Sequence, residues 1–369
     1  MKILIDARLY GLENTGIGRY LVELIDYLQK LDTENNYVIL LRKKYFNELN
    51  LSKNWNKICT DFSVYGIVEQ LKLPLLLIKE KPDISHFPHF NVPLFWFGKF
   101  IVTVHDLTMH NTGKAASNLP ASVYFIKHLI YKYLFRNAIN RSTKIIVPTN
   151  AVKSEIKSHY RIPENKIIIT YEGINDVFTK TKPKSESIFN KFKLIKNNYL
   201  VYTGNAYPHK NLKRVIDALL YLKTEKDIVL YFVIVGKINK FMQNIINYAK
   251  EKEMDDYIIT PGFVNDSELI SIYVNSLAFI YPSMSEGFGL QGLEALACGT
   301  KLIASDIPVF REVYKDCAFY FDPMNHYSIA NAIEKAISSE QKEGVKELLS
   351  LYSWRETAEN TLKVYKAFL

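Results

Sequence analysis

Ser283-Met-Ser-Glu-Gly-Phe-Gly-Leu-Gln-Gly-Leu-Glu-Ala-Leu-Ala-Cys-Gly299 follows an apolar run, Leu277-Ala-Phe-Ile-Tyr281, that reads as a buried parallel strand. The stretch itself reads as a glycine-rich loop opening a helix that Gly299 stops. A strand, a glycine loop and a helix N-terminus form an anion site, because unpaired N–H groups and the helix dipole both favour phosphate. Glu286 and Glu294 would repel phosphate, so they serve only by accepting hydrogen bonds from hydroxyls beside it. Phosphate flanked by hydroxyls on two sides describes a nucleotide sugar, with ribose at one end and hexose at the other. Gly287, Gly289 and Gly292 are costly in conformational entropy, which implies a ligand packed closely against them.

Working outward, strands and helices alternate along the chain, the pattern of parallel sheets covered on both faces. In the first half, strands are expected at Lys2–Ile5, Tyr37–Leu41, Ile84–His86, Phe100–His105, Lys144–Pro148 and Ile167–Thr170. The helices between them are expected at Ile17–Leu31, Val68–Lys81, Pro120–Ile139 and Ala151–Tyr160. The charged, aperiodic segment Thr179–Ser187 reads as a linker. A second series places strands at Tyr199–Thr203, Val229–Val235, Ile258–Thr260, Ala278–Tyr281 and Lys301–Ala304. Its helices fall near Asn211–Leu222, Lys240–Lys252, Asp266–Asn275, Gly289–Ala297, Ser328–Ser338 and Ser353–Phe368. In the last of these, Trp354, Ala358, Thr361 and Tyr365 share one face.

The spacing Glu286-x7-Glu294, within S-E-G-F-G-L-x-x-L-E-A-L-A-C-G, resembles the signature of the glycosyl transferases group 1 family. These are retaining, nucleotide-sugar-dependent glycosyltransferases. The resemblance implies an α/β GT-B fold: two Rossmann-like domains facing across a cleft, with the C-terminal helix crossing back to the first. The expected division is 1–180 with the returning helix 353–369 as the acceptor side, and 181–352 as the nucleotide-sugar side. The resemblance gives Glu294 the donor ribose and Glu286 the transferred sugar. The backbone of Gly287, Phe288, Gly289 and Leu290 then lies against the donor.

Further positions follow. The strand Tyr199–Thr203 ends in Gly204-Asn-Ala-Tyr-Pro-His-Lys-Asn-Leu212, a second place for phosphate, where Lys210 neutralises the charge that grows on the leaving diphosphate. The family usually has an arginine where this chain has Asn205, which leaves His209 and Lys210 as the cationic candidates. Resemblance places Gly236 and Phe263 at the nucleotide base. It places Gly16 and Gly18, in Asn14-Thr-Gly-Ile-Gly-Arg-Tyr20, beside the diphosphate, with Arg19 facing the acceptor. That glycine run is not a dinucleotide fingerprint, because Leu21 occupies the third glycine position. His105 closes a parallel strand at its ligand-binding end, where the family has a histidine next to the transferred sugar, and Asp106 is placed to orient it or to cap the next turn. His86, His89 and Asn91 are expected to line the acceptor side. The catalytic set is therefore His105, Glu286 and Lys210. No metal and no cofactor are expected, since no Asp-x-Asp pair occurs in the chain.

Composition narrows the class. At 369 residues and 48% hydrophobic, the chain is long enough for two cored domains. No apolar run approaches the roughly 18 residues of a membrane span, and Met1-Lys-Ile-Leu-Ile-Asp6 reads as a strand, not a signal peptide. Three dispersed cysteines indicate neither a disulfide framework nor zinc. Residues 1–180 hold 24 basic against 16 acidic residues, net +8, whereas 181–369 hold 23 against 22, net +1. No nucleic-acid-binding signature accompanies that charge. The expected partners are a nucleotide-sugar donor and a glycan or lipid-linked acceptor, with peripheral contact to an anionic membrane through the basic half. The amphipathic stretch Tyr124–Arg136 reads either as a membrane-surface helix or as a core helix with a basic outer face. The expected location is cytoplasmic, and the reaction is transfer of a hexose within polysaccharide or glycolipid synthesis. GDP-mannose is the first choice of donor; UDP-glucose, UDP-galactose and UDP-N-acetylglucosamine stay open. Other classes are a nucleotide-sugar epimerase, which needs no acceptor, a nicotinamide oxidoreductase, and a non-catalytic sugar- or membrane-binding protein.

Overall fold

The computed structural model describes residues 1–111, 113, 117, 120–180 and 185–368. Its contacts divide the chain into two compact units, Met1–Gly173 with Ser353–Leu369, and Ile174–Tyr352.

The first unit is a seven-stranded parallel sheet. Its strands are β1 (Lys2–Asp6), β2 (Asn36–Leu41), β3 (Trp55–Cys59), β4 (Ile84–Phe87), β5 (Phe100–Thr103), β6 (Lys144–Val147) and β7 (Ile167–Ile169). They lie in the order β3-β2-β1-β4-β5-β6-β7. Ile3, Leu4, Ile5 and residues 37–41 are almost wholly enclosed, as central strands covered by helices on both faces must be. The crossovers are the helices Thr15–Leu31, Ile67–Glu80, Ala121–Arg141 and Asn150–His159. Strand order reverses between β1 and β4, so the crossovers diverge there and leave a crevice beyond the strand ends. β3 was not anticipated: Trp-Asn-Lys-Ile-Cys carries polar residues at its centre, which an edge strand paired only to β2 tolerates.

The second unit repeats the plan with β8 (Tyr199–Thr203), β9 (Tyr231–Val235), β10 (Ile258–Gly262), β11 (Ala278–Tyr281), β12 (Leu302–Ser305) and β13 (Phe319–Phe321). The order β10-β9-β8-β11-β12-β13 reverses between β8 and β11. β13 and the helix Pro308–Tyr314 were also not anticipated, being only three and seven residues long.

The division between units falls after Gly173, ahead of the expected 180. The short helix Val177–Lys180 belongs to the second unit because Phe178 is buried there and its carbonyl accepts from Cys298 Sγ at 3.6 Å. Within the expected linker, 181–184 lie outside the described residues, and Ser185 opens the helix Ser185–Phe192. The returning helix, Trp354–Lys366, packs along Thr15–Leu31 in the first unit. Trp354, Ala358, Thr361 and Tyr365 all face inward, and Thr357 Oγ1 donates to Tyr171 O at 2.6 Å. A Cβ on Gly173 would meet Trp354 N at 2.0 Å, so only glycine lets the two chain segments pass this closely.

Candidate active site

In the second unit the loops after β8 and β11 meet at the reversal point of the sheet. The Met284 N–H donates to the His209 carbonyl at 2.8 Å, tying one loop to the other. That tie sets Lys210 Nζ 2.5 Å from Glu286 Oε1, with both side chains mostly enclosed. Lys210 sits in a single 3-10 turn, Pro208–Lys210, and Asn211 turns left-handed at φ 61° to start the helix Leu212–Glu225. Arg214, one helical turn beyond Lys210, donates to Asn211 Oδ1 at 2.7 Å and lies 3.9 Å from Met284 Sδ. Sequence reading missed Arg214, although its spacing of four from Lys210 was a usable signal.

Gly204, at φ 143°, ends β8, and a Cβ on Gly236 would strike its carbonyl oxygen at 2.1 Å. The ends of β8 and β9 therefore touch through backbone. Asn205 O accepts from the Tyr202 hydroxyl at 2.9 Å. Phe263, just beyond β10, holds its ring 72% exposed.

Gly289, at φ 96°, caps the helix Leu290–Ala297, and Gly287, Phe288 and Leu290 are buried. The expectation that these glycines make room for a ligand is corrected at two of them. A Cβ at Gly289 would meet Tyr314 Oη at 2.3 Å, and one at Gly292 would meet it at 2.4 Å. The protein's own Tyr314, whose hydroxyl donates to Gly289 O, fills that space. Glu294 lies on the helix as a nearly enclosed carboxylate, 3% exposed. Its charge is felt at Cys298, whose thiol is pushed up to about 12 by burial first and by Glu294 second. Around Glu286, burial and then the carboxylate charge hold the Tyr202, Tyr281 and Tyr314 phenols well above their usual range, so all three remain neutral.

The first unit holds its own cluster. His105 follows β5, and its Nδ1 lies 3.2 Å from Glu172 Oε1. Tyr20 meets the imidazole edge-on at 4.8 Å between centroids, and Nε2 is buried with no partner among the described residues. The partner of His105 is thus Glu172, which sequence reading passed over; Asp106 instead accepts from the Thr108 N–H at 2.8 Å. His86 does not line an open face. It is fully enclosed, its Nδ1 2.6 Å from Tyr365 Oη and its Nε2 2.7 Å from Thr103 Oγ1, bracing the returning helix against the sheet. Burial, helped by His105, pushes it down to about 3. His89 is half-buried beside Tyr65 Oη, and Asn91 is buried, donating to Glu69 Oε2 at 2.5 Å. Gly16 and Gly18 fall inside the first turn of Thr15–Leu31 instead of ahead of it. A Cβ at Gly18 would strike Gly11 O at 1.9 Å, while the space beside Gly16 is open; Arg19 is half-buried on the same turn.

Among the described residues no group of three or more His, Cys, Asp or Glu side chains is placed to hold a metal ion. No helix of the described residues is long and apolar enough to cross a membrane.

Two parallel Rossmann-like sheets, one of them carrying a lysine and two glutamates at its reversal point, define a GT-B glycosyltransferase fold. Residues 184–347 match the family described as Glycosyl transferases group 1, and residues 14–178 match Glycosyltransferase Family 4. The second unit matches the group 1 glycosyltransferases and the first the family 4 model, and the chain is a glycosyltransferase. It is 26% identical over 335 residues to the O-antigen chain mannosyltransferase RfbU of Salmonella typhimurium, covering 88% of each chain. It is 22% identical to the O-antigen chain mannosyltransferase B of Escherichia coli, over 99% of this chain and 100% of that one. The fold is shared with Anabaena HepE, solved with UDP and glucose, at a TM-score of 0.74, 14% identity and full coverage of both chains.

Proposed function

We propose that this glycosyltransferase moves mannose from GDP-mannose to a hydroxyl of a glycan or lipid-linked acceptor in cell-surface polysaccharide synthesis, with retention at the anomeric carbon and without a metal ion. The observation that carries the reading is the Lys210–Glu286 pair at the reversal point of the second sheet, on loops tied together by backbone. The description of both curated relatives as O-antigen mannosyltransferases supports the sugar and the pathway class.

The donor diphosphate takes Lys210 away from Glu286. Lys210 then neutralises the departing phosphate, with Arg214 supplying the charge that Asn205 lacks. Glu286, released, accepts from hydroxyls of the transferred sugar, and Glu294 accepts from the ribose. Phe263 offers its exposed ring to the base. The bond from the anomeric carbon to the phosphate oxygen breaks as the acceptor oxygen bonds to the same face of that carbon. The acceptor proton passes to the departing phosphate. Glu172 keeps a proton on His105 Nδ1, which leaves Nε2 as a hydrogen-bond acceptor for a substrate hydroxyl.

The first unit is further proposed to rest on an anionic membrane. Ile67, Leu71, Leu75 and Ile78 form an exposed stripe along Ile67–Glu80, and Phe125, Ile126, Leu129, Ile130 and Tyr133 are exposed on Ala121–Arg141 beside Lys127 and Lys132. The outer face of the latter helix is thus apolar as well as basic. The loop bearing exposed Phe95 and Phe97 joins the two helices: Gln70 accepts from Leu94 N, and Arg141 donates to Leu94 O. Apolar side chains rimmed by lysine favour the headgroup–acyl boundary.

Thermal denaturation against a panel of nucleotide sugars tests the donor. GDP-mannose is expected to raise the melting temperature above GDP-glucose and the UDP-sugars; equal or no stabilisation by the whole panel rejects the reading.

A further inference from the structure

Residues 171–173 follow β7 without regular structure, and the sheet holds the chain there as far as the Thr170 N–H, which donates to Val147 O at 2.8 Å. Glu172 is nonetheless buried, with its carboxylate 3.2 Å from His105 Nδ1. The returning helix grips the segment on both sides of it. Before Glu172, the Tyr171 carbonyl accepts from Thr357 Oγ1 at 2.6 Å. After Glu172, Gly173 passes so close to the helix start that a Cβ there would meet Trp354 N at 2.0 Å and Ser353 C at 2.5 Å. A peptide group is planar, so fixing the Tyr171 carbonyl also fixes the Glu172 N–H, and the two grips leave the Glu172 Cα little freedom to turn. Thr357 is itself buried, and its hydroxyl serves this contact ahead of its own helix. A helical threonine ordinarily bonds the carbonyl four residues back. Here that is Ser353 O, which already accepts from the Thr357 N–H at 3.0 Å, while Oγ1 lies 3.0 Å from Ser353 O and only 2.6 Å from Tyr171 O. The same helix reaches the second neighbour of His105, since Trp354 stands 6.2 Å from the Tyr20 ring that meets the imidazole edge-on.

We propose that Thr357 is a positioning residue for His105: by holding the Tyr171–Glu172 peptide it aims the Glu172 carboxylate at Nδ1, so the imidazole proton stays there and Nε2 stays an acceptor. The proposal rests on the role read for His105 in sugar transfer, and it adds the residue that sets the tautomer from the C-terminal end of the chain. An ionised carboxylate only accepts, so the nitrogen that bonds to it must carry the proton. The 3.2 Å contact is already at the long end of the hydrogen-bond range, and a lengthening of about 0.5 Å ends it. Thr357 therefore has an effect on the imidazole that its own burial does not explain.

Nitrogen-15 NMR of the imidazoles in the full chain reads the tautomer directly, with the His105 signal assigned by its loss in His105→Gln. In the wild-type protein the proton is expected on Nδ1. In Thr357→Val, which keeps the branched shape and removes the hydroxyl, it is expected to divide between both nitrogens; in Thr357→Ser, which keeps the hydroxyl, it returns to Nδ1. Release of GDP from GDP-mannose is expected to fall about tenfold in kcat for Thr357→Val, with the donor KM little changed, and to recover in Thr357→Ser. A threonine that only stabilises the fold would lower the urea midpoint and leave both the tautomer and kcat as they were, and that result overturns the proposal. A wild-type proton on Nε2 overturns it too, and that spectrum decides even where Thr357→Val does not fold. If GDP-mannose is not turned over, or His105→Gln turns it over at the wild-type rate, the donor or the His105 reading fails, and the tautomer alone decides the positioning.

Discussion

Lys210 Nζ and Glu286 Oε1 lie 2.5 Å apart, joining two residues whose proposed substrates are the two halves of one donor molecule. In the proposed reaction the pair is a latch: each charge satisfies the other until phosphate offers the ammonium a stronger partner. Lys210→Met is expected to lower kcat by about a hundredfold, the loss of one preorganised charge. Glu286→Gln is expected to lower kcat with little change in donor affinity. Glu294→Ala is expected to weaken donor binding by about tenfold or more. Calorimetric titration with donor and steady-state kinetics separate the three, and wild-type turnover in Glu286→Gln and Glu294→Ala together sinks the assignment. Activity in excess EDTA is expected to match that in buffer alone.

Glu172 is proposed to act on the reaction through His105, whose Nδ1 it faces at 3.2 Å. Glu172→Gln is expected to reduce kcat about tenfold. Because the two residues work as a unit, Glu172→Gln with His105→Gln is expected to cost little more than His105→Gln alone. A double-mutant cycle that proves additive would separate them.

Gly292 gives way to Tyr314, not to substrate. Gly292→Ala is expected to destabilise the second unit by roughly 1–3 kcal/mol through overpacking, read as a lower urea midpoint with an unchanged slope. Adding Tyr314→Val, which withdraws the ring, is expected to recover part of that loss. If Gly292→Ala instead lowers donor affinity at full stability, the space belongs to the ligand after all.

Acid sensitivity follows from the enclosed imidazole of His86 and the half-buried one of His110. His86 is pushed down to about 3 by burial and His105, and His110 to about 4 by burial and then its cationic neighbours. Unfolding frees both to bind protons near pH 6.5, so stability holds above that pH and falls as pH drops toward 4, then 3. The slope approaches about 1.4 kcal/mol per pH unit for each group. His86→Gln is expected to flatten the midpoint-versus-pH curve below pH 6; an unchanged curve refutes the origin.

The apolar face of the first unit is expected to bring the protein down with vesicles containing anionic lipid and not with pure phosphatidylcholine. Phe125→Ser with Ile126→Ser is expected to abolish sedimentation while leaving nucleotide binding intact. Retained sedimentation would place the contact elsewhere.

Much of this was written in local pattern. Buried parallel strands such as Ala278–Tyr281 are apolar throughout, and their helices begin where glycine or asparagine turns the chain. Edge elements were less visible: β3 and β13 have no second neighbour to require a full apolar run. Lys210 and Glu286 could be named from motifs, but their contact depends on the Met284–His209 backbone bond across 74 residues of intervening chain. Glu172 could not be singled out, because a lone glutamate has no sequence mark until its histidine arrives from another strand. The glycines misled for the same reason, since sequence cannot show that Tyr314 comes back to fill their space.

The returning helix also sets an order of birth. Tyr365 braces His86, and Trp354 stands 6.2 Å from Tyr20, yet both are translated only after the whole of the second unit. The first sheet leaves the ribosome unsealed, with its wall missing, and waits in that state while its sibling folds. A nascent chain halted before Trp354 would thus be a client for chaperones, whatever the health of its second half.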